Sequence, residues 1–191
     1  MTTNRLEAFS DGVIAVIITI MVLELRAPSQ ATLSAALKIV PSFISYGLSF
    51  LVVAIMWVNH HHMIHTVHKV TARLLWSNLN LLFWMSLIPF VTDFMGRNYR
   101  EPISAALYGL DLFLCAAGFY FLRIELVRQS KQDLAMVDYH QSVQRKNAFS
   151  GALYLLSVPL AYVSVYASFA IFIVIPAMYF LPEKKLADTS Q

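Results

Sequence analysis

Charged residues punctuate this chain so sparsely that the gaps between them dictate its fold. Lys38 and His60 bracket 21 residues without a charge, Arg73 and Asp93 bracket 19, and Glu101 and Arg123 bracket 21 interrupted only by Asp111. Each gap matches the roughly 20 apolar residues that one helix needs to cross a hydrocarbon core about 30 Å thick. Lys146 and Glu183 bracket 36 residues, which as a single helix would run about 54 Å. That stretch predicts a hairpin of two spans, turning near Tyr166 to Ser168. At 58% hydrophobic, 13% charged and a mean hydropathy of +0.62 over 191 residues, the composition is that of one all-α polytopic membrane domain covering residues 1–191.

The first apolar run breaks the pattern. Between Asp11 and Glu24 only 12 residues lack a charge, about 18 Å of helix and too short to cross. Counting from Arg5 to Arg26 gives 22 residues, which is long enough but places acids at both ends of the span. Ionisable groups at membrane depth are costly and face a bundle interior or water, so this helix is expected to border a wet path. Arg5 before the run and Ala27 after it resemble a cleaved leader, but Glu7 and Asp11 in the leading region argue for retention. Six helices are expected, near residues 5–26, 38–62, 73–95, 102–128, 147–165 and 168–182. With both termini in the cytoplasm, ten basic residues (Arg5, Lys69, Arg73, Arg123, Arg128, Lys131, Arg145, Lys146, Lys184, Lys185) lie inside and four (Arg26, Lys38, Arg97, Arg100) outside, which favours that orientation. The net charge of +3 therefore reflects connecting segments and gives no indication of nucleic acid. Residues 128–147 read as a partly helical connection, and Cys115 as a small buried hydrophobe.

Along the first helix, the line stepped by three or four residues from Asp11 takes in Gly12 or Ala15, Val16, Thr19 with Ile20, Leu23, and then Glu24 or Arg26. Thr19 is the one side chain from Gly12 to Leu23 with a polar atom other than sulfur; it either bonds its own helix's carbonyl or offers its oxygen to a permeating ion. Several copies about a symmetry axis would turn each residue into a ring. Val16, Ile20 and Leu23 would form a hydrophobic constriction and Glu24 a cation-attracting mouth, unless Glu24 simply pairs with Arg26 or a headgroup.

These residues carry a resemblance. Arg5, Phe9, Ser10 and Asp11 read R-x-x-x-F-S-D, and FSDGVIAVIITIMVLEL resembles the pore helix of bacterial members of the transmembrane protein 175 family of potassium channels. Ser49 and Phe50, then Trp57, Asn59, His60 and His61, look like that family's second helix. Arg73, Trp76, Asn78, Ser86, Pro89, Phe90 and Thr92 look like its third. The resemblance implies a homotetramer in the cell membrane of a prokaryote, each subunit with six helices, whose four first helices line a cation pore lacking a TVGYG filter. A large aliphatic ring and a threonine layer, matching Val16 and Thr19, would set a moderate preference for potassium. Valine is smaller than the isoleucine or leucine usual there, so the narrowest ring is expected to be looser or shifted to Ile20 or Leu23. Arg5, Phe9, Ser10, Asp11, Trp57, His60 or His61, and Asn78 would form a structural and gating network behind the pore. Ser10 or Asp11 has a plainer alternative, capping a helix that begins at Gly12.

The remaining ionisable groups support other functions less well. His61, His65 and His68 share one helical face, with His62 close to His65, yet outside this cluster only His140 remains; no metal and no cofactor are expected beyond permeating K+. Asp111 and the histidines motivate the alternative of a proton-coupled secondary transporter. No pair of broken helices of the kind transporters use is apparent, and no nucleophile with a base or catalytic carboxylate pair points to an enzyme.

Overall fold

The computed structural model describes residues 2–67, 69–129 and 134–180, with side chains at 134–142 and 180 left out. His68, Lys131, Lys184, Lys185 and the end of the expected last helix lie outside the described residues, as does the His140 side chain. The chain is all-helical, with α1 Thr3–Leu23, α2 Leu33–Lys38, α3 Val40–His65, α4 Ala72–Met85, α5 Ile88–Arg97, α6 Pro102–Gln129, α7 Leu134–Val163 and α8 Val165–Phe180. Among the described residues, Thr3–Leu23, Val40–His65, Ala72–Arg97 and Pro102–Gln129 are long and apolar enough to cross a membrane.

Helix α1 resolves the length problem. Its 21 residues cover about 31 Å because it begins before Glu7 and runs through Ser10 and Asp11 without a break. The capping alternative at Gly12 is therefore wrong: Ser10 donates to the carbonyl of Leu6, one turn back, at 2.9 Å. The helix stops at Leu23, short of the expected residue 26, and a loop leads to the short α2, which was not anticipated; the Thr32 side chain accepts from the amide of Ala35 and caps it.

The third apolar run is two helices. Ser86 and Leu87 separate α4 from α5, immediately ahead of Pro89, whose ring has no amide to donate back and clashes with the preceding turn. The hairpin also differs in register. Helix α7 begins at Leu134, taking in much of the expected connection, and the break falls at Ser164, ahead of Tyr166. Antiparallel pairing with α8 follows from Ser168 donating to the Ser157 carbonyl at 2.8 Å and from the Lys146 ammonium 4.4 Å from the Tyr179 ring.

Small residues let helices α3 to α6 pack closely. A Cβ on Gly118 of α6 would sit 2.9 Å from the Leu81 Cα of α4, and one on Gly96 of α5 would sit 2.7 Å from the Ser42 Cα of α3. Backbone contact of this kind is a common basis of helix association in lipid, where burial of apolar surface supplies little driving force. The core formed between these helices includes Leu81, Met85, Tyr108, Leu112, Leu122 and Phe172.

Candidate functional site: the first helix and its base

Helix α1 has two unlike faces. Leu6, Ser10, Ile14, Ile17 and Met21 are buried against α3, α4 and α5 at steps of three or four. On the opposite face Val16 is 55% exposed, Ile20 41% and Leu23 76%, and Gly12, Ala15 and Thr19 are exposed with them. A Cβ on Gly12 would meet nothing within 4 Å. The candidate pore residues thus share one uncovered strip of a single protomer. The Thr19 hydroxyl donates to the Val16 carbonyl at 2.8 Å, which spends its proton inside the helix and leaves its oxygen lone pairs on the exposed side.

At the N-terminal base of α1 the expected polar residues meet in two separate sets. In the first, Ser10 spends its proton on Leu6, so it can only accept from Asn78 Nδ2, at 3.0 Å. The Asn78 Oδ1 then accepts from His60 Nε2 at 2.8 Å, which fixes the protonated nitrogen of that ring by elimination. Ser10, His60 and Asn78 are all fully buried, so this chain ties α1, α3 and α4 together where water cannot compete.

The second set lies nearer the surface. The Trp57 indole donates to Asp11 Oδ1 at 2.9 Å. Glu7 Oε1 stands 3.1 Å from His61 Nδ1 and 3.4 Å from His65 Nε2. His60 and His61, offered as alternatives on the sequence, therefore serve different partners. Arg5 and Phe9 are exposed, and no described residue engages the Arg5 guanidinium.

At the other end of α1, Glu24 faces Arg97 of α5 at 3.9 Å, and Arg97 in turn holds Asp93 at 2.7 Å. Neither Arg26 nor a headgroup is needed to account for it. Two features escaped the sequence reading. Glu7 enters the sequence argument only against a cleaved leader, although its one-turn spacing from Asp11 places both acids toward α3. Tyr108 of α6 was not singled out, yet its hydroxyl lies 2.9 Å from Ser49 Oγ, which accepts from Thr92 at 2.8 Å, a buried link across α3, α5 and α6. Asp111, on α6, is buried away from the exposed strip of α1, and neither carboxylate oxygen has a hydrogen-bond partner among the described residues.

Known proteins resemble this chain in sequence and arrangement. Residues 5–89 match the family described as endosomal/lysosomal potassium channel TMEM175. A potassium channel of Chryseobacterium sp. (strain P1-3) is 36% identical over 97% of this chain and 96% of its own. The endosomal/lysosomal proton channel TMEM175 of Homo sapiens is 32% identical over 53% of this chain and 23% of its own. The crystal structure of a lysosomal potassium-selective channel TMEM175 homolog from Chamaesiphon minutus superposes with a TM-score of 0.82 at 28% identity, covering 93% of this chain and 95% of that one. With a relative this similar end to end, with the same fold and with several helices able to cross a bilayer, this chain is a multi-pass membrane protein belonging to the TMEM175 family of potassium channels.

Proposed function

We propose that the protein is a homotetrameric cation channel, moderately selective for potassium, in which four copies of α1 surround a central pore. Six helices per subunit cross the cell membrane of a prokaryote, with both termini in the cytoplasm. Gly12 and Glu24 stand at the two mouths, Val16, Ile20 and Leu23 form the hydrophobic constriction, and Thr19 supplies an oxygen layer between them. The carrying observation is the uncovered strip of α1, opposite the face sealed by Ile14, Ile17 and Met21. Lipid could cover an exposed apolar strip, but this one contains a glycine, an alanine and a hydroxyl and is bounded by acids, which suits an aqueous axis better than hydrocarbon.

The mechanism follows from these side chains. A potassium ion sheds part of its water at the branched apolar rings, and Thr19 oxygens compensate there. A closed pore dewets at the same rings, so no moving gate segment is required. The buried chain of Ser10, Asn78 and His60 and the Trp57 bond to Asp11 fix the rotation of α1, and with it the direction in which Thr19 points. Arg5 and Phe9, exposed in one protomer, belong to this network through the neighbouring subunit. Conduction uses no cofactor and no catalytic group. The proton-coupled transporter alternative lacks comparable support, because the relatives are named as channels and Asp111 lies off the α1 strip.

The test is selectivity in reconstituted bilayers. Thr19→Val removes the hydroxyl while nearly keeping the volume, and the expected outcome is a lower ratio of potassium to sodium permeability. An unchanged ratio removes Thr19 from the filter.

A further inference from the structure

The cluster formed by Glu7, His61 and His65 brings one carboxylate and two imidazoles together from two helices. His61 and His65 are one turn apart on α3, and their Nε2 atoms face each other at 3.2 Å. At that distance one neutral ring donates its N–H to the lone pair of the other. The other nitrogen of His61, Nδ1, stands 3.1 Å from Glu7 Oε1, and His65 Nε2 stands 3.4 Å from the same oxygen, so one carboxylate oxygen faces one nitrogen of each histidine.

On the sequence alone the histidines occupy a single helix and lack a further ligand; Glu7, brought in by α1, supplies it. One potential ligand atom from each of the three residues lies within 4.8 Å of the others. The measured 3.1 Å from His61 Nδ1 to Glu7 Oε1 and 3.4 Å from His65 Nε2 to the same oxygen are close to the edge of a tetrahedron, about 3.3 Å, around an ion with bonds of about 2.0 to 2.1 Å. Histidines four residues apart on one helical face, joined by a carboxylate, suit zinc and its first-row neighbours, whereas magnesium and calcium prefer oxygen alone. The Trp57 ring, 6.0 Å from that of His61, and the edge-on contact of the two histidine rings at 4.3 Å limit their rotation. All three side chains are partly open to solvent, giving an ion an entry path and a water for the fourth position.

We propose that Glu7, His61 and His65 form a binding site for a divalent transition-metal ion of the zinc type, which links the N-terminal turn of α1 to the C-terminal turn of α3. Binding does not depend on the pore reading above and is measured without ion flux, so either can fail alone.

The experiment uses the full chain in detergent, titrated with zinc against a chromophoric chelator. One zinc ion per chain is expected, with affinity falling at least about tenfold in His65→Ala and in Glu7→Gln. His62→Ala, which removes an exposed histidine of the same helix outside the set, is expected to bind as the unaltered protein does. Cobalt bound to the unaltered chain is expected to give the intense visible bands of four-coordinate geometry, a readout that does not depend on any variant folding. No zinc binding, weak six-coordinate cobalt bands, or an equal loss in His62→Ala and His65→Ala would overturn the site.

Discussion

The two halves of the molecule are held together by different means. Helix α1 is fastened at its base by directional bonds, Asn78 to Ser10 at 3.0 Å and Trp57 to Asp11 at 2.9 Å, and along its length by a single buried face. Helices α6, α7 and α8 instead pack around small residues and interlocking rings, with Gly118 against the α4 backbone and Tyr108 edge-on to Phe172 at 4.9 Å. Close packing seals a helix on most sides, whereas a few polar fastenings hold a helix and leave a side of it free. The second arrangement is what a pore-lining helix needs.

This contrast can be broken or sharpened by substitution, beginning with the largest effect. Gly118→Val places branched carbons where a single Cβ already meets the Leu81 Cα at 2.9 Å, and backbone cannot step aside as a side chain can. A loss of about 3 kcal/mol is expected, read as a lower unfolding temperature in detergent; an unchanged temperature would show that α4 and α6 are not locked by close approach. Asn78→Ala leaves His60 and Ser10 buried without their shared partner, at an expected cost of about 2 kcal/mol. In the same variant, freer rotation of α1 is expected to weaken potassium preference in bilayer recordings. Stability lost with selectivity intact would detach the fastening from the pore.

Arg97→Ala removes a half-exposed pair with Glu24 and Asp93 and is expected to cost under about 1 kcal/mol, measured by the same unfolding assay; a larger loss would make that end of α1 a second anchor. Leu23→Ala is the smallest in stability, near zero, because the side chain touches little in the protomer. Single-channel conductance is expected to rise as the constriction widens, and unaltered current would place the narrow ring elsewhere.

Much of this organisation was legible in the placement of charge. The gaps between Lys38, His60, Arg73, Asp93, Glu101 and Arg123 correspond to α3 through α6 because charges are expelled from spans by their solvation cost. The short first run was equally informative, since only a helix continuing through Asp11 could be long enough. Other features were hidden for physical reasons. The break ahead of Pro89 depends on how neighbouring helices satisfy freed backbone groups, which hydropathy does not record. Glu7 and His61 are far apart in sequence and meet only once the crossing of α1 and α3 is set. Glu24 found Arg97 in place of Arg26 for the same reason, the partner lying on another helix.

One dimension carries a mechanical consequence. Helix α7 is 30 residues long, with Pro159 near its end, about 45 Å of continuous helix, while the hydrocarbon slab is about 30 Å deep. Crossing upright, such a rod would overshoot the slab by about a third of its length, and the polar stretch ahead of Lys146 is the part whose composition suits water. Lys146 and Ser157 ride on that one rod, so the contacts they make with Tyr179 and Ser168 of α8 are held at a fixed spacing.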